Sequence, residues 1–258
     1  MIRIKDYEQL KIRIVNWIKD YYFENNINAL VVGVSGGIDS AVVSTLCAET
    51  GLPTHLLTMP IHSKKENTRL SNEHCFNLVV KSTNVSHACV NLSDTYDTMI
   101  HEFYDGYKFN KSELSNANTK SRLRMTTLYQ AAGCLGGIVV GTGNKVEDYG
   151  VGFFTKYGDG GVDIAPIADL YKSEVWELGE YLGVDQRIVD AKPTDGLWED
   201  GRTDEDQIGV NYEQLEEAME NGTGVGVDTL EHFNSKNQHK MKPIPTFKLG
   251  GGDRQYEI

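Results

Sequence analysis

The sequence predicts an α/β fold: an open parallel sheet flanked by helices, with a nucleotide site at the strand C-terminal edge. Three features carry that expectation. Apolar strands alternate with helical segments between residues 29 and 141. The first strand runs into Ser35-Gly36-Gly37-Ile38-Asp39-Ser40, and a helix follows at once. A wholly apolar strand at 137–141 ends in the small, polar turn 142–147.

Each element has its own signal. Ile4, Tyr7, Leu10, Ile14, Trp17, Ile18 and Tyr21 recur at helical spacing, so residues 3–24 read as an amphipathic helix that Asn25-Asn26-Ile27-Asn28 breaks. Residues 29–34 form the first strand, and 40–49 continue as a helix closed by Gly51. The second strand, 54–59, lies between Pro53 and Pro60. A helix at 67–82, a short third strand at 87–92 and a helix at 95–103 follow. Residues 116–135 read as a long helix with Leu123, Thr127, Leu128 and Ala131 on its apolar face. It feeds the strand 137–141, whose unbroken apolar character suits a parallel position buried on both faces. The glycine-rich loop 153–161 precedes 163–167 and a helix from 169 to about 182. Beyond Pro193 the pattern weakens. Residues 200–206 read as a mobile polar loop, 211–221 as a short acidic helix, and the tail with Pro243, Pro245 and Gly250-Gly251-Gly252 as irregular. The expectation is one domain over 1–258, with a less regular C-terminal extension from about 193.

Composition narrows the function. The formal charge of −12, from 37 acids against 25 bases, argues against a protein that embraces long nucleic acid. No apolar run reaches the roughly 18 residues of a membrane span, so no membrane partner is expected. The first residues carry charges throughout and do not read as a signal peptide. Cys47, Cys75, Cys89 and Cys134 are scattered, form no CxxC pair and sit among apolar neighbours, as core or semi-buried thiols would. A cytoplasmic protein is the simplest expectation.

A strand, a loop of small residues and an immediate helix start make an anion cradle. The loop and first-turn N–H groups have no intrahelical partner and can face phosphate oxygens. Gly36 and Gly37 permit close approach, Ser35 and Ser40 add hydroxyls, and Asp39 places a carboxylate where a phosphate-bound Mg²⁺ would sit. The segment lacks the lysine of GxxxxGK[ST] and the third glycine of GxGxxG. Its bland alternative is a Gly-rich turn capping an ordinary helix. If the strands at 29–34 and 137–141 are neighbours, Asp39 and Glu147 face each other across the crevice where strand order reverses. Two carboxylates beside a triphosphate make sense with Mg²⁺ between them. In Asn118-Thr119-Lys120-Ser121-Arg122-Leu123-Arg124, Arg122 and Arg124 lie about 200° apart on a helix, so they serve two anionic groups or one is a surface residue.

With these motifs in view, the chain resembles the ammonia-dependent NAD⁺ synthetases of the N-type ATP pyrophosphatase superfamily. SGGIDS, NTKSRLRM, GTGNKVE, GFFTKYGDGG, the Pro166/Lys172 segment, KPTDGL and the late His239-Lys240 pair stand in that family's order. The resemblance implies an adenine-nucleotide alpha-hydrolase-like fold and an ATP site of Gly33, Ser35, Gly36, Gly37, Asp39 and Ser40, completed by Arg124, Thr142, Lys172 and Thr194. It implies Mg²⁺ on Asp39 and Glu147. It assigns deamido-NAD⁺ to Asn118, Arg122, Lys156, Asp159, Asp163, Gln207, His239 and Lys240, and catalysis to Asp39, Glu147, Lys172 and Asp159. Family members often carry an acidic residue at the position of Gln207, where it is thought to contact the substrate ribose. A homodimer is implied as well, with the dinucleotide near the subunit interface.

The implied reaction is ATP-dependent amidation of deamido-NAD⁺ with ammonia through an acyl-adenylate, releasing NAD⁺, AMP and pyrophosphate. No glutaminase centre is apparent: Cys47 and Cys134 sit on helices rather than at an exposed nucleophile position, so free ammonia is the expected donor. The rivals are another N-type ATP pyrophosphatase, amidating or thiolating a different substrate, and a nucleotide-binding protein without chemistry. A thiolating enzyme favours paired cysteines and a basic docking surface, and this chain offers neither.

Overall fold

A computed structural model describes residues 4–107, 110, 112–194 and 203–248. Four parallel strands, β1 (Leu30–Gly33), β2 (Thr54–Thr58), β3 (Val85–Cys89) and β4 (Ile138–Val140), pair in the order β3-β2-β1-β4. Residue alternation on these strands builds two cores, because successive side chains point to opposite faces. Leu30, Val32, Leu56, Ile138 and Val140 pack on one face, against α1 (Tyr7–Glu24), α2 (Ile38–Glu49), α3 (Lys65–Lys81), α6 (Lys172–Tyr181) and α7 (Gln186–Val189). Val31, Leu57 and Val139 pack on the other, against α4 (Ser93–Gly106) and α5 (Glu113–Leu135). Burial on both faces explains why the central β1 and its neighbour β4 read as unbroken apolar runs. β1 and β4 are hydrogen-bonded neighbours, which puts the topological switch between the two polar turns.

Several boundaries differ from the expectation, each for a local reason. The first helix begins at Tyr7 rather than residue 3, because the Asp6 side chain accepts the Gln9 N–H and caps it. The third strand lies at Val85–Cys89 instead of 87–92, in register with the whole of β2. The helix expected from 169 starts at Lys172, where the Glu174 side chain reaches back to accept the Tyr171 N–H (2.9 Å). Cys89 and Cys134 are exposed, unlike Cys47 and Cys75: one ends the edge strand and the other lies near the end of α5.

The region beyond Pro193 is more regular than its pattern suggests. It holds α8 (Asp204–Ile208), α9 (Tyr212–Asn221) and α10 (Val227–Met241). Helix α9 matches the acidic helix expected there. Thr203 and Asp206 form a capping box that makes the end of the expected 200–206 loop helical; residues 200–202 lie outside the described residues, as does the Gly250-Gly251-Gly252 part of the tail. Residues 243–248 lack regular structure, as expected. Helix α10 has no fully buried residue, and its apolar packing is limited to partly buried side chains such as Leu230 and Phe233 against a small core, so its periodic mark is weak. It docks through polar side chains: Asn234 donates to Gly150 O (2.9 Å), Asn237 to Val151 O (2.8 Å), and Lys240 to Gly152 O (2.6 Å) and Phe154 O (2.7 Å). The acceptors lie on and just beyond a single π-helical turn, Lys145–Val151, whose widened winding leaves carbonyls for these donors. A third small core, with Val146, Val151, Ile208, Tyr212 and Leu215, fills the space beneath these elements. Among the described residues no helix is long and apolar enough to cross a membrane.

Between α2 and α3, His74 Nε2 and Ser44 Oγ share a buried hydrogen bond of 2.8 Å. Burial pushes the imidazole down from 6.5 to about 4. Below about pH 6.5 the unfolded chain binds a proton that the folded chain refuses, so stability falls as pH drops towards 4. The expected loss is about 3 kcal/mol at pH 4. Urea denaturation between pH 7 and 4 measures it, and His74→Gln should remove most of this contribution.

Candidate active site

The cradle begins where β1 ends. Gly36 takes φ +95°, the left-handed region, and a Cβ there would lie 3.2 Å from Asn67 O, so glycine alone fits without strain. The turn is braced by its serines. Ser40 Oγ donates to Gly37 O (3.0 Å) and accepts from Ser35 N (3.1 Å), while Ser35 Oγ accepts from Gly37 N (3.2 Å). Gly37 N-caps α2 with no side-chain cap, so the first-turn N–H groups point into the crevice where an anion is favoured.

The second turn follows β4. Asn144 N-caps the π-helical turn, its Oδ1 accepting from Val146 N (3.1 Å) and Glu147 N (3.0 Å). Its Nδ2 donates to Asp39 Oδ1 (3.0 Å), tying the two turns together. Between them stands Lys172, 2 % exposed, at the start of α6. Its Nζ donates to Asp39 Oδ2 (2.6 Å) and Glu147 Oε1 (2.8 Å). Burial works against both carboxylates. In Glu147 the Lys172 ammonium outweighs it and the pKa falls below its ordinary value; in Asp39 burial and the neighbouring Glu147 charge leave it raised. Lys172 is held protonated, because its two anionic partners overcome its own desolvation. Ser173, the next residue, is anchored by Glu216, which accepts from its N–H (2.8 Å) and hydroxyl (2.6 Å).

Both carboxylates thus converge on one cation. They are hard oxygen donors, the chemistry that Mg²⁺ takes, and a magnesium site built from one or two carboxylates fills its remaining positions with water and phosphate oxygens. Among the described residues no group of three or more His, Cys, Asp or Glu side chains could hold a metal by itself. The donor set therefore fits a nucleotide-bound Mg²⁺ better than a closed protein cage.

The other expected residues fall in two groups. Arg124 Nε donates to Met59 O (3.0 Å) at the end of β2, and Gly33 packs between Leu128 and Met59; both border the cradle. Thr142 lies in the turn after β4, and Thr194 is the last described residue before 195–202, which hold the remainder of KPTDGL. The loop 153–161 gathers the second group. Arg122 Nε donates to Lys156 O (3.2 Å), so the two arginines reach different loops, as their helical directions require. Asn118 Oδ1 accepts from the Thr155 hydroxyl (2.7 Å). Asp159 Oδ1 accepts from Ser121 Oγ (2.6 Å) and Thr155 N (3.0 Å), and burial raises the pKa of this carboxyl group. Lys156 Nζ reaches His239 O at 3.5 Å. Lys240, anchored in the same loop, has its pKa lowered by burial. Asp163 is engaged inside the fold: its carboxylate accepts Val139 N (2.7 Å) and the Tyr129 hydroxyl (3.1 Å). The Gln207 side chain lies 3.5 Å from Thr203 O within its own helix.

Four residues that the sequence did not single out also belong to the site. Asn144 holds Asp39, Tyr212 holds Glu147, Ser121 holds Asp159, and Asp148 lies against Gly143, where a Cβ would collide with its carboxylate. Burial, then the charges of Glu147, Asp159 and Asp39, push the pKa of Asp148 well up. GTGNKVE carried a signal for Asn144, an Asn immediately before a helix start. Tyr212 carried none.

A family profile described as NAD synthase matches residues 10–244. An NH₃-dependent NAD⁺ synthetase from Carboxydothermus hydrogenoformans is 39 % identical over 93 % of this chain and 97 % of its own length. Among solved structures, an NMN synthetase from Francisella tularensis aligns with TM-score 0.87 and 32 % identity, covering 95 % of this chain and all of that one. An NH₃-dependent NAD synthetase from Campylobacter jejuni aligns with TM-score 0.75 and 26 % identity, over 95 % of this chain.

Replacing Lys172 by Met leaves two buried carboxylates without their cation, a change that typically costs about 3–5 kcal/mol. Thermal unfolding of Lys172→Met in EDTA should show a large fall in Tm, and added Mg²⁺ should recover part of it. An unchanged Tm would mean that the ammonium does not compensate these charges.

Proposed function

The chain belongs to the NAD synthase family, and from that premise we propose that it is a cytoplasmic, ammonia-dependent NAD⁺ synthetase that amidates deamido-NAD⁺ at the expense of ATP. One observation carries the reading: Asp39 and Glu147, from turns far apart in the chain, meet on a single cation beside the Ser35–Ser40 phosphate cradle. The whole of 1–258 acts as one ATP-pyrophosphatase domain.

A carboxylate is a poor electrophile, because its charge repels nucleophiles and oxide is a poor leaving group. Adenylation solves both problems. The nicotinate carboxylate oxygen bonds to the α-phosphorus of ATP and the bond to pyrophosphate breaks. Ammonia then bonds to the acyl carbon, AMP departs, and one proton is released to give the amide. Mg²⁺ held by Asp39 and Glu147 would neutralise charge on the phosphates. The cradle N–H groups and Lys172 stabilise the charge that builds on the departing pyrophosphate, and Arg124, Thr142 and Thr194 complete the nucleotide site. Asn118, Arg122, Lys156, Asp163, Gln207 and His239 address the substrate, and Lys240 sits near its reacting end. Asp159 receives the proton when ammonium delivers ammonia, a role that suits a carboxyl group of raised pKa.

A homodimer is supported by an apolar face on the α4–α5 side: Met99, Phe103, Tyr107 and Leu114 are all exposed. A second reading is favoured by the likeness to the Francisella NMN synthetase, which points to nicotinate mononucleotide as the acid that is amidated. It shares the same activation chemistry and differs only in the absence of the substrate's adenylate half.

Protein incubated with Mg²⁺, ATP, ammonium and either deamido-NAD⁺ or nicotinate mononucleotide should yield amide, AMP and pyrophosphate, and the ratio of kcat/KM between the two acids decides the reading. Release of ADP and phosphate would contradict adenylation. Asp39→Ala and Glu147→Ala should each lower turnover by about 10²-fold or more, the scale on which electrostatic transition-state contacts act.

A further inference from the structure

The Glu147 carboxylate is held by a residue that belongs to neither the cradle nor the substrate loop. Tyr212, at the start of α9, is 2 % exposed, and its hydroxyl donates to Glu147 Oε1 at 2.7 Å. The same hydroxyl oxygen lies 3.3 Å from Asp204 Oδ2, on the first turn of α8. Its ring stands 5.2 Å from Lys172 Nζ, so the phenol contacts both partners of the central ion pair. The rest of the ring is fixed by apolar neighbours, packing with Val146, Val151, Ile208 and Leu215 and edge-on to Trp176 at 5.8 Å. Asn144 gives Asp39 an equivalent tie (3.0 Å). Each of the two carboxylates thus has one neutral donor that aims it, in addition to the shared ammonium.

We infer that Tyr212 is a positioning residue for the metal ligand Glu147, and that its hydroxyl, donated to this carboxylate, aims it at the nucleotide-bound cation. This inference rests on the reading of Asp39 and Glu147 as magnesium ligands. Groups that orient metal ligands commonly contribute about 10–100-fold to metal affinity or activity.

Tyr212→Phe tests this, since it keeps the ring, its packing and its stacking over Lys172 and removes only the donor. Mn²⁺ serves as the probe, titrated by electron paramagnetic resonance into protein saturated with a non-hydrolysable ATP analogue. The variant should bind Mn²⁺ about 10-fold more weakly. Its half-saturating Mg²⁺ in turnover should rise in parallel while Tm moves by only a few degrees. Leu215→Val, in the same small core, should lower Tm without shifting either metal curve. Wild-type affinity retained in Tyr212→Phe, or a metal shift of equal size in Leu215→Val, overturns the inference. Failure of the wild type to bind Mn²⁺ with the nucleotide would instead remove the magnesium reading beneath it.

Discussion

The site depends on a buried ammonium shared by two carboxylates. Lys172 holds Asp39 at 2.6 Å and Glu147 at 2.8 Å, and these three residues arrive from α2, the π-helical turn and α6. Bringing two carboxylates together out of water is costly unless a cation lies between them. The arrangement therefore enforces a rule: the crevice tolerates its two acids only with a positive charge in place. Among the described residues no group of three or more His, Cys, Asp or Glu side chains could hold a metal alone, so the two acids answer to the ammonium and to whatever cation a ligand brings.

Around this centre the fold builds two braced regions. The β1 and β4 turns, joined by Asn144, form a short and tightly held one. The loop 153–161 forms the other, held by Arg122, Asn118 and Ser121 from α5 and by Lys240 from α10. The π-helical turn Lys145–Val151 connects the two, carrying Glu147 at one side and offering its later carbonyls to α10 at the other. A widened turn at this point lets one short segment serve both regions, in keeping with the frequency of π-bulges at functional positions. The family relationship and this division agree, since an enzyme that joins ATP to an acid must hold two anionic ligands in line.

The accuracy of the sequence reading followed the range of the signal. Where order came from period or from a capping residue, elements were found within a few residues: α2, β2, α5 and α9 lie close to their expected limits. The juxtaposition of Asp39 with Glu147 was also legible, because parallel topology places the ends of neighbouring strands on one edge. Helix α10 left little periodic mark because only Leu230 and Phe233 pack, partly buried, against the small core, while amide and amine donors make much of its contact. The engagement of Asp163 by Val139 N and Tyr129 was invisible for a related reason: a side chain substituting for a strand partner follows no pattern along the chain.

By itself, the sequence determined the parallel α/β layering, the glycine turn at 35–40 and the residue types around it, all of which follow from local dihedral freedom, unpaired N–H groups and hydrophobic period. Only the tertiary structure decided that Lys172 lies between the two acids, that Asn144 and Tyr212 hold them, and that α10 closes over the loop 153–161. Those contacts join residues distant in the chain, and whether two such side chains meet within hydrogen-bonding distance is set by packing, which no local stretch of sequence encodes.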